Sequence, residues 1–206
     1  MIMCLYKKIA ITNRKIFFDS HEKKCEYGDL DAYVEYIARL AGMTDMIILR
    51  EKDLDQEEYK ALADKLLERC LKSQEEKVSE GRIVLHTYVE AAIQTGCRRI
   101  HLPVNLFREN LDKLKDFELV GVSVHSLEEA RFAQEQGADY ITASHIFATE
   151  CKKGLEPRGL EFLKEICENA EIPVYALGGI TSENEMDTIR AGAAGACRMS
   201  DYMKMF

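Results

Sequence analysis

One repeated punctuation constrains this chain more than any other feature: a glycine that ends a helical pattern is followed, about four residues later, by a short apolar run. Four copies stand out: GMTDMIIL from Gly42, GCRRIHL from Gly96, GADYITA from Gly137 and GAAGACR from Gly192. A helix C-terminus that closes in the left-handed conformation favours glycine, so each copy predicts a helix handing over to a strand. Apolar runs near 9–12, 46–50, 82–86, 99–103, 119–125, 140–147, 172–177 and 194–199 make eight predicted strands. Each but the last is followed by a helical pattern. Strands that are apolar throughout and alternate with helices belong in parallel sheets. Eight such units favour a closed (β/α)8 TIM barrel over an open doubly wound sheet, and 206 residues is at the low end for that barrel. Only Asp201–Phe206 follow the eighth run, so the final helix is expected to be truncated. No composition shift marks a linker, and a single domain over residues 1–206 is expected.

The helices carry the period that a barrel's outer layer needs. Leu30, Tyr33, Val34, Ile37, Ala38 and Ala41 follow an i, i+3, i+4, i+7 pattern, as do Tyr59, Leu62, Ala63, Leu66, Leu67 and Cys70. Ser126 with Glu129 and Ser182 with Glu185 have capping-box spacing, which predicts helices starting directly after the fifth and seventh strands.

Composition excludes several classes of partner. The formal net charge of −8 argues against nucleic acid, whose phosphates require an excess of Lys and Arg. Seven cysteines, an odd number with no CxxC pair, fit a reduced cytoplasmic protein. No stretch approaches the roughly 18 apolar residues of a membrane span, and the N-terminus has too short an apolar run for a signal peptide.

In barrels of this kind the chemistry sits at the C-terminal ends of the strands. Those ends read Asn13, Arg50-Glu51-Lys52, His86-Thr87, His101, Ser123 with His125, His145, Gly178-Gly179 and Ser200, and hold four of the five histidines. A lone histidine is more often structural than functional; the clustering is what points to a site. No pair of these histidines has an i, i+4 or HxH ligand spacing, and strand-end carboxylates are few, so neither a metal nor a cofactor is expected. The stretch LGGITSE, Leu177–Glu183, leaves the seventh strand for a capped helix, a place where this fold binds phosphate, with Ser200 contributing from strand eight. The insertion TECKKGLEPRG, Thr149–Gly159, carries Lys152, Lys153 and Arg158 and is expected to fold over an anionic substrate as a basic lid. Cys151 has no evident local base and is not read as a nucleophile.

These residues also carry a specific resemblance. ILREKDL (Ile48–Leu54), GVSVHSLEEA (Gly121–Ala130), GADYI (Gly137–Ile141), HIFATECKKGLEPRG (His145–Gly159), IPVYALGGIT (Ile172–Thr181) and Arg198–Ser200 resemble, in order, the motifs of the thiamin phosphate synthase family. The resemblance implies a TIM barrel that acts on a thiazole phosphate. The family has two branches. The synthase joins a pyrimidine diphosphate to the thiazole phosphate and holds Mg²⁺ on carboxylates that follow strand three, as Asn-Asp, and strand four, as an Asp after His-Leu-Gly. Here those positions are His86-Thr87 and Asn105, after His101-Leu102-Pro103. The synthase's Thr-x-Thr-Lys after strand six is Thr149-Glu150-Cys151-Lys152, without its second threonine. HIFATECKKGLE followed by RG is instead similar to the TenI-type branch, thiazole tautomerases that aromatise a carboxythiazole phosphate by moving a proton without metal.

The resemblance implies His145 as the acid-base residue, a role that suits an imidazole, which titrates near working pH. It implies that Gly178, Gly179, Met199 and Ser200 hold the phosphate, that Arg50 and Lys52 hold the substrate carboxylate or another anion, and that Thr149 and Lys152 touch substrate. Ser123 and His125 are expected to line the pocket, and a homodimer follows from the family's habit. The expected function is thus a thiazole tautomerase. A divergent synthase, motivated by the ILREK string, is the alternative, and a barrel that binds a thiazole phosphate without turning it over is a third reading.

Overall fold

Apolar runs with no polar alternation become strands only where both faces of a sheet are covered, and helices between parallel strands provide the cover. The computed structural model describes residues 6–22, 25–72, 80–149, 152 and 154–206. Its strands are β1 Lys7–Ile11, β2 Met46–Leu49, β3 Ile83–His86, β4 Arg99–Pro103, β5 Leu119–Val124, β6 Tyr140–Ser144, β7 Val174–Leu177 and β8 Gly195–Arg198. They hydrogen-bond in sequence order and close into a barrel, the TIM-barrel fold expected from the sequence. The helices are α1 Arg14–His21, α2 Leu30–Ala41, α3 Gln56–Leu71, α4 Val89–Thr95, α5 Val104–Glu109, α6 Leu127–Glu135, α7 Gly159–Asn169, α8 Glu185–Arg190 and α9 Ser200–Met203. The last of these is a single turn. Among the described residues no helix is long and apolar enough to cross a membrane.

Packing divides the chain into two compact units, Met1–Lys8 with His101–Arg198, and Ile9–Ile100 with Met199–Phe206. In the unit of Ile9–Ile100, Ile9 pairs with Met46 and Ile48 with Val84 in parallel register. Both periodic stripes are buried as expected apart from Leu30, the half-buried first residue of α2: Tyr33, Val34, Ile37, Ala38 and Ala41 on α2, and all six stripe residues from Tyr59 to Cys70 on α3. The segment after β1 begins as α1. Asn13 caps it by accepting the Ile16 amide at 3.1 Å, and its Phe17 packs on Tyr33 and Tyr36 with ring centroids 5.0 and 4.7 Å apart. His21, the one histidine outside the set expected at the strand ends, is buried here between the carbonyls of Phe17 and Phe206.

In the unit of His101–Arg198, β5, β6, β7 and β8 pair in parallel, with Val122 opposite Ile141, Ala143 opposite Ala176, and Leu177 opposite Cys197. The glycine punctuation holds with one exception. Gly96, Gly137 and Gly192 turn left-handed at φ 73°, 87° and 105°, whereas Gly42 ends α2 at φ −69°, a right-handed value open to any residue. Two other expectations are corrected. The sixth strand stops at Ser144 rather than reaching residue 147, because His145–Phe147 enter the loop while still bonding along the end of β7. The helix expected to begin at Ser182 begins three residues later: α8 starts only at Glu185, whose carboxylate is taken by the Tyr6 hydroxyl at 2.7 Å and by Arg198 at 3.5 Å. At α6 the cap is half of a box. Ser126 accepts the Glu129 amide at 3.1 Å, but the Glu129 side chain reaches one residue further, to the His125 amide at 2.6 Å.

Candidate active site

His145 leaves β6 and roots the loop to α7. The loop's stem is a backbone clasp: Arg158 donates to the His145 carbonyl at 2.9 Å and Gly159 to Ile146 at 3.1 Å, while Ile146 and Phe147 donate to Leu177 and Gly178 at 3.0 Å each. His145 was expected open to a ligand. It is 4% exposed, with its Nε2 3.4 Å from the Leu155 carbonyl, so the loop that carries it also covers it. Of that loop, Glu150, Cys151 and Lys153 lie outside the described residues.

Gly178 and Gly179 turn left-handed at φ 102° and 65°. A side chain at Gly178 would collide with the Cβ of His145, and one at Gly179 with the carbonyls of Ala148 and, at 2.8 Å, Phe147. The two glycines therefore admit the root of the His145 loop. The sequence assigned their freedom to the approach of a ligand; the structure gives a second and sufficient reason for it. The helix N-terminus expected beside them is also different in kind. α8 has six residues, and in the turn before it the Thr181 amide donates to Asn184 Oδ1 at 2.8 Å and the Glu183 amide to Thr181 Oγ1 at 3.2 Å. Those two amides serve the turn.

Cationic groups gather in the same unit. His125 lies 3.4 Å from Glu129, yet its imidazole is held below the usual histidine range, first by burial and then by the positive charge of Lys152. The Lys152 ammonium is itself pushed down by burial and by Arg158. Ser123 stands on β5, hydrogen-bonded to His101 and Thr142. His101 is not at a strand end, as the sequence suggested, but in the middle of β4 and 2% exposed. Thr149 accepts the Lys152 amide at 3.0 Å.

In the other unit, Arg50 and Lys52 flank Glu51 at the end of β2. The Arg50 amide donates to Thr12 Oγ1 at 2.9 Å, and Lys52 is exposed. Glu51, which no functional reading had selected, is the buried centre of this end. It accepts the Thr12 and Tyr33 hydroxyls at 2.5 Å each and the Arg14 amide at 2.8 Å. The signal in the sequence was a carboxylate inside a strand-end string flanked by two cations, and it was a signal for structure. His86 ends β3, buried, its Nδ1 2.5 Å from the hydroxyl of Thr87, which adopts a left-handed φ of 70°. Met199 receives the Asn13 amide at 3.9 Å, and Ser200 opens α9 with its side chain exposed.

The synthase's Mg²⁺ can be tested against these residues. The positions that would carry its acids hold His86 and Thr87 after β3 and an exposed Asn105 on α5. Glu51 is already committed to three donors. Among the described residues no group of three or more His, Cys, Asp or Glu side chains is placed to hold a metal ion. This donor set does not fit a hard divalent cation, which needs several oxygen ligands at once.

Known proteins narrow the chemistry further. The pattern of the family described as thiamine monophosphate synthase matches residues 20–201. A protein of Aquifex aeolicus (strain VF5) that bears the provisional name thiamine-phosphate synthase 2 is 36% identical over 204 residues, covering 98% of this chain and 100% of its own. A thiamine-phosphate synthase of Fusobacterium nucleatum is 32% identical over 190 residues, 92% of this chain and 89% of its own. Among solved structures, a thiamine phosphate pyrophosphorylase from Pyrococcus furiosus superposes with a TM-score of 0.73 at 26% identity, over 97% of this chain and 88% of that one. By the names of these relatives the synthase, the alternative drawn from the sequence, has more support than the tautomerase. With the motifs, the barrel and a match over most of its length in agreement, this chain belongs to the thiamine monophosphate synthase/TenI family of thiamine biosynthesis.

Proposed function

We propose that this chain is a metal-independent thiazole tautomerase, which aromatises a carboxythiazole phosphate by acid-base proton transfer. The observation that carries the reading is the replacement of every expected Mg²⁺ acid, by His86-Thr87 after β3 and by Asn105 after β4, in a chain that keeps His145 within the HIFATECKKGLE string. A diphosphate leaving group without a divalent cation has little to neutralise it, whereas a proton shift needs only a positioned acid-base group. In this reading His145 takes a proton from the substrate ring and returns one at another position, so no atom is gained or lost. Because the imidazole is covered at the Leu155 carbonyl, catalysis requires the loop to part from it while substrate enters. Gly178, Gly179, Met199 and Ser200 are assigned the substrate phosphate through the family match. Arg50 and Lys52 are assigned its carboxylate, and Thr149, Lys152, Ser123 and His125 the remaining contacts.

The test follows the tautomer's ultraviolet absorbance. Turnover is expected to be indifferent to EDTA and to fall by about 10²–10⁴-fold in His145→Ala, the usual worth of a positioned acid-base group. Turnover abolished by chelator defeats the reading.

The second reading, a divergent thiamine-phosphate synthase, is favoured by the relatives' names and by the ILREKDL string at Ile48–Leu54. It calls for thiamine phosphate to form from the pyrimidine diphosphate, the thiazole phosphate and Mg²⁺. Formation of that product at a useful rate would replace the tautomerase by the synthase.

A further inference from the structure

On β4, β5 and β6, four polar side chains make one connected set of hydrogen bonds. His101 Nδ1 lies 3.1 Å from the Tyr140 hydroxyl, and His101 Nε2 lies 2.7 Å from Ser123 Oγ. Thr142 Oγ1 lies 3.1 Å from the same Ser123 Oγ and 3.5 Å from His101 Nε2. His101, Tyr140 and Thr142 are 2%, 1% and 0% exposed. Ser123 alone of the four has appreciable accessible surface.

The direction of each bond follows from the donors. Burial pushes the Tyr140 hydroxyl well above the usual tyrosine range, so it keeps its proton and must place it on an acceptor. Among the described residues the one acceptor it meets is His101 Nδ1. The Tyr140 ring lies against Gly121 of β5, in the space that a side chain there would need. With Nδ1 accepting, the His101 proton sits on Nε2 and donates to Ser123 Oγ. The Thr142 hydroxyl is fully buried, and the nitrogen nearest it already carries a hydrogen, so its proton also goes to Ser123 Oγ. Both acceptor positions of the serine oxygen are then filled. Its own proton has no place inside the set and points out of it, on the one member that reaches the surface.

We propose that Ser123 is a committed hydrogen-bond donor to an acceptor atom of the bound substrate, and that His101 is the positioning residue that makes it one by holding the Nε2–H tautomer. An ordinary serine hydroxyl can either give or accept; this one can only give. It therefore selects a ligand with a lone pair at that point, a carboxylate oxygen or an unprotonated ring nitrogen, against an analogue that presents N–H or O–H there. The identity of that ligand as a carboxythiazole phosphate rests on the function proposed above. The hydrogen-bond assignment does not.

Two measurements on the intact protein test it. Long-range ¹H–¹⁵N correlation on histidine-labelled protein is expected to show His101 as the Nε2–H tautomer; the Nδ1–H form overturns the inference whatever the protein catalyses. Steady-state kinetics of the tautomer conversion are then compared for Ser123→Ala, His101→Leu, the double variant and His101→Gln. Ser123→Ala is expected to raise KM about tenfold, the order of one hydrogen bond to a polar ligand atom. His101→Leu should match it, and the double variant should be no worse than either single. His101→Gln should return KM to within about threefold of the starting protein, since its amide can accept from Tyr140 and donate to Ser123. Additive losses mean that His101 is only part of the packing and overturn its positioning role, and an unchanged KM in Ser123→Ala overturns the donor. If the unmodified protein converts no tautomer, the proposed function fails, and the same cycle is read on affinity for the thiazole phosphate by calorimetry, with the same two overturning results.

Discussion

The cluster around Glu51 and the cluster around His101 are made of similar parts. Each joins a buried tyrosine, a buried threonine and a titratable group from different elements of the chain. They differ in the ratio of donors to acceptors. Glu51 brings an acceptor-only carboxylate to three donors, the Thr12 and Tyr33 hydroxyls and the Arg14 amide, and every proton finds a place within the cluster. Around His101 the hydroxyls of Tyr140, Thr142 and Ser123 outnumber the places for their protons by one. A cluster that closes on itself can only hold the chain together, as Glu51 does for the ends of β1 and β2 and the starts of α1 and α2. A cluster with one proton left over can address a ligand.

Breaking the closed cluster is expected to have the largest effect. Glu51→Ala strands three buried donors and should cost about 3 kcal/mol in urea unfolding. Loss of turnover without loss of stability would show that Glu51 does more than tie the chain. The cluster should also make stability depend on pH. Burial raises the Glu51 carboxyl above the usual range, against the opposing hydrogen bonds of Thr12 and Tyr33. The folded protein therefore binds that proton more readily than the unfolded chain. The contribution is complete below the ordinary carboxylate pKa and is lost as pH rises through the folded value. Glu51→Gln, which cannot ionise, should flatten the stability profile across that window.

Effects on the open cluster are smaller. Tyr140→Phe removes the proton that fixes His101 and should cost about 1 kcal/mol, the net worth of one hydrogen bond. Its sharper signature is spectroscopic: the Nδ1–H tautomer of His101 should become populated. The smallest effect concerns His125. Lys152→Met removes one of the charges that hold the imidazole down, so its NMR titration should move upward, by less than the part that burial causes. An unmoved titration would mean that Lys152 is not near the site.

The elements read well from sequence where a local rule governed them. The α2 and α3 stripes are buried as the 3.6-residue period requires. Gly96, Gly137 and Gly192 turn left-handed because no side chain competes there. The rule failed where a distant partner intervened. Glu185 had the spacing of a capping box, but the helix begins only there, and its carboxylate is claimed by Tyr6 and Arg198, residues 179 positions away and on the last strand, respectively. Among the candidate residues, His145 and the two glycines do stand directly after β6 and β7, as the strand-end rule expects. The rule misread His101, which lies in mid-strand, as a strand-end group, and it included Glu51 without revealing a tie, because the partners Thr12 and Tyr33 come from other elements.

The amino-acid order alone determined the succession of strands and helices, and with it which end of each strand carries the polar residues. Those properties depend on periodicity and on single glycines, interactions that span a few residues. The tertiary structure decided what each polar residue does there. Whether a hydroxyl gives or accepts, and whether a carboxylate is a ligand or a tie, depends on which groups crowd the same few ångströms. For His101 and Tyr140, 39 positions apart, and for Thr12 and Glu51, also 39 apart, only folding brings those groups together.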